Sequence, residues 1–479
     1  MKKLQTLAFV LSSISAVALS TGAGFAQSAG QIVTKQYDTG GVYEGTFKDG
    51  KQHGTGTYRL PNGYEYSGEW VNGEIQGKGS ARFPNGSVYE GDFAAGKPEG
   101  LGKITFADGG TYEGSWVKGK ISGNGIAKYA NGVVYEGAFL EAKHHGQGTM
   151  TSPNGYRYSG EWERGEKNGS GEITYPDGAT YSGQVMAGVR EGKGLLSMPD
   201  GLTYDGDWKS GQISGSGILK QVNGDIYEGQ LLAGKRNGSG KVTYANGDLY
   251  EGAFKDDKRN GSGNFKGADG YQYSGNWMNG HIDGEGTVTY PDGSVYSGSF
   301  QNDVAHGTGK ITYVDKSTYE GAWVKGVIEG QGVARYVNGI VYKGMFRDAR
   351  NHGKGSMTYE DGYSYDGDWV DGVRQGNGVA TYPDGSVYEG SFEDGKRAGS
   401  GKITMTDGFT YDGAWVNGEI EGQGVATYAN GDVYTGTFVK GQRQGAGQMV
   451  YATGEQYDGF WAEGQQSTKE EAATSPASQ

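Results

Sequence analysis

Cysteine is absent from all 479 residues. The chain therefore forms no disulfide, carries no lipid on a cysteine, and offers neither a thiolate nucleophile nor a zinc–thiolate site. Only 9 prolines are present and hydrophobic content is 34%, too lean for a conventional two-layer core. Beyond the N-terminal segment no apolar run approaches the roughly 20 residues that a membrane-spanning helix needs. Positive charge is also scarce: 43 Lys and Arg stand against 56 Asp and Glu, for a net charge of −13. A body this acidic should repel nucleic acid and bulk anionic lipid unless its basic residues are segregated. What is there instead is glycine, 94 residues, and tyrosine, 35 residues, in a pattern too regular for a disordered chain.

The N-terminus has the layout of a secretory signal. Lys2 and Lys3 precede an apolar stretch from Leu4 to Leu19, and Gly24-Phe25-Ala26 stands before Gln27, so cleavage is expected after Ala26. Ser12, Ser13, Ser15 and Ser20 dilute the stretch too much for a membrane anchor. The mature chain is expected to be exported, periplasmic or extracellular, with a net charge of −15 once Lys2 and Lys3 are removed.

Nineteen tyrosines then fall on an uninterrupted 23-residue grid, from Tyr43, Tyr66 and Tyr89 to Tyr434 and Tyr457. A fixed short period signifies one supersecondary unit stacked on copies of itself. With each grid tyrosine as position zero, position two is always Gly and position four is aromatic in 17 copies, Val185 and Leu231 being the exceptions. Positions eleven and thirteen are Gly, position fifteen is apolar, and position seventeen is usually Tyr, Phe or another large apolar residue. Position nineteen is Asn or Asp in all but one copy, and position twenty is Gly in all but one, Lys316.

Alternation with period two runs through both halves of the unit, so each copy reads as two antiparallel strands. The Asn-Gly or Asp-Gly dipeptide between copies predicts a tight hairpin turn there, and a wider loop is expected around positions five to ten. Glycines at positions two and thirteen share the aromatic face, where rings can lie flat across the bare backbone. The Tyr and Trp ladder then reads mainly as the core of the sheet.

The unit resembles the MORN repeat (membrane occupation and recognition nexus), as in Tyr388-Glu-Gly-Ser-Phe-Glu-Asp-Gly-Lys-Arg-Ala-Gly-Ser-Gly and Tyr250-Glu-Gly-Ala-Phe. The resemblance covers about residues 31 to 464. It implies an all-β fold: an elongated single-layer repeat array of stacked antiparallel β-hairpins, 23 residues per repeat. The expected organisation is a signal peptide at 1–26, an N-terminal half-repeat at 27–42, the array at 43–464 and a disordered tail at 465–479. Both terminal strands are expected to be exposed, Tyr457 to Trp461 being a lone first strand, and to invite homodimer formation.

A second period lies inside the first. All nine tryptophans occupy position four and alternate with Phe, with one phase slip between Leu231 and Phe254. Copies with Trp often carry Ile at position nine, and copies with Phe often carry Lys or Arg nearby. The wide-loop edge is thus expected to alternate apolar and basic spots. Its candidate binding residues are Trp70 with Ile75, Trp116 with Ile121, Trp277 with Ile282 and Trp323 with Ile328, together with Lys51, Lys97, Lys235, Arg236, Lys396 and Arg397. Such an edge suits a long or repeating partner gripped at low affinity per site.

Chemistry is sparse. His53, His145, His306 and His352 share position ten, and copies two apart lie on the order of 20 Å from each other, too far to share a metal. Carboxylates recur on solvated faces and in turns, with no acid–base or nucleophile–base constellation. No catalytic residue, metal or cofactor is expected. The chain reads as a non-enzymatic scaffold for protein partners in the cell envelope or outside the cell. Membrane phospholipid headgroups, and cell-wall or other polysaccharide on the Tyr/Trp surface, are the alternative ligands.

Overall fold

The computed structural model describes residues 30–474 in two compact units, one ending at Ala245 and the other beginning at Asn246. The expected signal segment lies outside the described residues, as do 475–479. The unit boundary falls inside the phase slip between Leu231 and Phe254.

Each copy of the repeat is one hairpin, a seven-residue strand followed by a nine-residue strand. In the first unit β1 (Val33–Gln36) pairs with β2 (Val42–Lys48), β2 with β3 (Lys51–Arg59) and β3 with β4 (Glu65–Val71). The same antiparallel neighbour-to-neighbour order runs to β19 (Lys235–Thr243). The second unit repeats it from β20 (Leu249–Lys255) to β38 (Gln456–Ala462). Both are single-layer arrays of stacked hairpins with 23 residues per repeat, as the tyrosine grid predicts.

The two edges are the reverse of the sequence expectation. Strands within a copy are joined by the tight turn, at positions six and seven. Asp49 and Gly50 have φ of 51° and 75°, the paired left-handed conformation of a type I′ hairpin. Copies such as Ala95–Gly96 and Lys118–Gly119 adopt it as well. The Asn-Gly dipeptide serves the wider loop between copies. There Gly63 N–H donates to the Leu60 carbonyl (3.0 Å) and Leu60 N–H to the Tyr64 carbonyl (2.8 Å). Of the pair only Gly63 has positive φ, so the loop is a type I turn closed by a glycine bulge. Asn62 Oδ1 accepts from Tyr64 N–H at 3.0 Å, which explains Asn or Asp at position nineteen without a left-handed backbone.

Register explains the remaining glycines. Gly45 lies opposite Gly56, but Phe47 lies opposite Gln52, so a bulge separates the two pairs. Across the bare Gly45–Gly56 pair lies the ring of Tyr43, whose hydroxyl donates to the Thr46 carbonyl at 3.0 Å. Eighteen grid tyrosines make this bond to the residue three positions on. The phenol thus fills the space that two side chains would otherwise occupy. It is covered in turn by edge-on rings, Phe47 at 5.1 Å and Trp70 of the next copy at 5.2 Å. This is how a single sheet encloses a core without a second layer.

The C-terminal end departs from expectation. The first strand ending in Trp461 is not lone: β39 (Gln465–Ser467) pairs with β38, and α1 (Lys469–Thr474) follows. Thr468 Oγ1 accepts from Glu471 N–H and Glu471 Oε2 from Thr468 N–H, a reciprocal capping box. Ala472 is buried, and Gln444 Nε2 donates to its carbonyl at 2.8 Å. Residues 465–474, expected to be a disordered tail, are therefore ordered, because a capped helical turn buries an alanine against the last hairpin.

Candidate interaction surfaces

The aromatic face is filled rather than open. All nine indoles donate to the carbonyl of the preceding copy's position-thirteen glycine, as Trp70 Nε1 does to Gly56 at 3.2 Å and Trp116 Nε1 to Gly102 at 3.2 Å. Trp70, Trp116, Trp277 and Trp323 are buried, and so are Ile75, Ile121, Ile282 and Ile328, each opposite its tryptophan in register. These eight side chains are core and form no open apolar spot. A sugar ring therefore has no exposed indole here on which to stack. The grid phenols beneath are desolvated, which pushes Tyr112 and Tyr158 up to about 12.

Position nine sits between one grid tyrosine and the position-four side chain of the next copy. Where it is Arg and the next copy carries Trp, the guanidinium stacks on the indole, Arg190 on Trp208 at 4.0 Å and Arg397 on Trp415 at 4.3 Å, whereas Arg374 lies 5.6 Å from Phe392. Arg397 also donates to the Gly418 carbonyl at 2.7 Å. Arg236 lies 5.9 Å from the Tyr227 ring centre. Arg397 thus acts as a clamp between copies, with a cation–π contact in place of the isoleucine packing. His144 takes the same place. It stacks on Tyr135 at 3.7 Å, its Nε2 is 2.8 Å from the Tyr129 hydroxyl, and burial pushes it down to about 4.

The surface that varies from copy to copy lies beside the tight turn, at positions five and eight. These residues face each other across the hairpin and point away from the core. Lys51, Lys97, Lys235 and Lys396 are exposed at position eight, opposite Lys48, Ala94, Leu232 and Glu393. In the second unit Val324 faces Val327, Arg347 faces Arg350 and Val370 faces Val373. All four valines are more than 40% exposed. Apolar and basic pairs alternate over these three copies but not along the array, where Glu163 faces Glu166 and Leu140 faces Lys143. The sequence signal of an apolar pair is a large apolar residue one step past the aromatic position, where strand parity points it outward.

The opposite face is polar. Lys78 pairs with Asp92 at 2.6 Å, Lys193 with Asp207 at 2.7 Å and Lys354 with Asp368 at 2.7 Å, each joining adjacent copies. Exposed pairs of this kind contribute little stability. Among the described residues no three His, Asp or Glu side chains converge on a metal position.

The family model of the MORN repeat matches 18 consecutive segments, from residues 43–63 to residues 434–456. No curated protein matches the chain. Among solved structures, the TCP domain of SAS-4 from Drosophila melanogaster is 12% identical, over 41% of this chain and 88% of that one, with a TM-score of 0.21. The TCP10 domain of CPAP from Danio rerio is 16% identical, over 51% and 93%, with a TM-score of 0.15. Virginiamycin B lyase from Staphylococcus aureus is 11% identical, over 62% and 97%, with a TM-score of 0.11. At these scores the likeness carries no functional argument.

Proposed function

Because the chain belongs to the MORN repeat family, whose arrays serve as scaffolds for proteins and membranes, we propose that it is a non-enzymatic scaffold for protein partners in the cell envelope or outside the cell. The observation that carries this reading is the tight-turn edge. The backbone platform is identical in every copy while the exposed pair changes, from Val324/Val327 to Arg347/Arg350 to Val370/Val373. A constant frame with variable outward pairs suits multivalent contact, in which weak individual sites add through linkage. Pairing of two copies through a terminal strand belongs to the same reading. β1 is the strand proposed for it, because it is four residues long against three in β39.

A photo-crosslinking side chain at Val370, on the edge, and another at Asp412, on the polar face, test the proposal in cells. One or two abundant envelope proteins joined through Val370 and not through Asp412 are expected. Recovery of nothing but the chain itself would overturn the hetero-partner form.

A second reading, binding of phospholipid headgroups, draws on the first unit. Leu140 and Leu232 are about half exposed on this edge, opposite Lys143 and the exposed Lys235. Apolar tips beside lysines suit an anionic interface. It predicts sedimentation with anionic vesicles that fades as salt rises.

A further inference from the structure

The loop edge of the second unit carries rings that the fold does not fully consume. Position seventeen is Tyr in five consecutive copies, from Tyr290 to Tyr382. Tyr290 and Tyr382 are half-buried against Tyr271 and Tyr363, at 6.2 and 5.5 Å. Between them, two consecutive copies are open. Tyr313 and Tyr336 are exposed, and the residues that follow, Val314 and Val337, are 55% and 66% exposed. Val314 lies against the preceding turn at Gly293, and Glu360 lies over Gly339, so each open loop abuts its outer neighbour.

Two further features coincide with this strip of exposed side chains. Lys316, the one departure from glycine at position twenty, sits beside Val314 with φ of 73°. Its exposed ammonium is one cation in the strip, set among several carboxylates. Exposed carboxylates also rim the strip: Asp292, Asp315, Glu360 and Asp361.

We propose that the strip formed by Tyr313, Val314, Tyr336 and Val337 binds a basic, proline-rich peptide in the polyproline II conformation. The inference rests on the scaffold reading and names one class of partner for it. Successive copies are two strands apart, about 9.5 Å, and a polyproline II helix completes a turn in three residues, about 9.3 Å. A proline at every third position therefore meets one ring per copy. Sheet twist rotates successive copies, so a straight ligand keeps this register over only a few rings, in keeping with two open dipeptides. The ligand is extended before it binds, which limits the entropy lost on docking to aromatic ridges. The carboxylate rim selects arginine or lysine in the flanks and repels acidic or phosphorylated sequences.

The test uses the purified full chain and a fluorescein-labelled peptide about 15 residues long, with proline at every third position and arginines at both ends. A second peptide has the same composition with irregular proline spacing. Fluorescence anisotropy should show saturable binding of the first, weakened by salt, and binding at least about tenfold weaker for the second. The double variant Tyr313→Ala/Tyr336→Ala should lose at least about tenfold, while Tyr175→Ala, at the same position in the first unit, should not. Should the double variant fail to fold, Glu360→Lys/Asp361→Lys provides the second reading, again with a loss. Equal binding of both peptides, no binding at millimolar concentration, or indifference to these variants would overturn the proposal. Binding of a β-1,4-linked oligosaccharide to the same rings without peptide binding would replace its occupant. Partners that still crosslink through Val370 after such a failure would leave the scaffold reading standing.

Discussion

Gly125 lies directly beneath the ring of Tyr112, and a Cβ added to it would stand 2.5 Å from Cε2. The phenol takes the volume of the missing side chain, and its hydroxyl reaches on to the Ser115 carbonyl at 2.9 Å. Glycine and tyrosine are two halves of one packing unit, repeated along the array.

That relationship makes Gly125→Ala a severe change for a small one. The ring cannot move aside without losing Trp116 and Phe139, at 5.7 and 5.1 Å. The expected cost is about 1–3 kcal/mol, as for overpacked cores. Tyr112→Phe keeps the ring and loses one hydrogen bond, about 1 kcal/mol. Urea denaturation ranks the two, and hydrogen exchange should confine both effects to the neighbouring copies, because stacked repeats couple mainly to their neighbours. The reverse ranking would sink the packing argument.

Trp116→Ala is expected to act on stability alone. Truncating a buried aromatic costs about 3–5 kcal/mol, and Trp116 also donates to Gly102. Thermal unfolding should show early melting of the first unit. A variant of unchanged stability that had lost binding to a partner would contradict the burial described for this indole.

Lys316→Gly should stabilise the protein. Every other copy has glycine at this position, and relieving a left-handed lysine is worth about 1 kcal/mol. Calorimetry of the parent and the variant decides the sign, and a lower melting temperature would mean that the lysine makes a compensating contact.

His144 should make the first unit acid-sensitive. Its folded value is pushed from 6.5 to about 4 by burial against Tyr135, so between those values the unfolded chain binds more protons than the folded one. Stability is therefore full above about pH 6.5 and falls as the pH drops toward 4, by about 3 kcal/mol over the window. His144→Gln should flatten that part of the profile in denaturation measured at a series of pH values. An unchanged slope would place the acid sensitivity elsewhere.

Much of this architecture is legible in residues alone because the repeat is a local object. Tyr at 23-residue spacing, Gly two residues after it and strict alternation define two strands, the face each residue takes and the neighbour each hairpin meets. The pairing of bare glycines with a flat ring follows from the same parity. The turns were harder to read. Asn62-Gly63 has the composition of a tight hairpin but belongs to a bulged loop, and the true two-residue turn uses pairs such as Lys118–Gly119. Turn type there follows from the register of the flanking strands, which Gly45 opposite Gly56 and Phe47 opposite Gln52 establish.

Local pattern thus dictated the unit, its period and its stacking, since strand parity and backbone sterics operate within a few residues. Which side chains meet solvent depended on packing between copies. Trp70 turned inward because the Gly56 carbonyl of the copy before offers its indole a partner, and Val370 stayed outside because it lies beyond the last core ring of its strand. Burial of a side chain is a property of everything around it, and a chain read one residue at a time contains no surroundings.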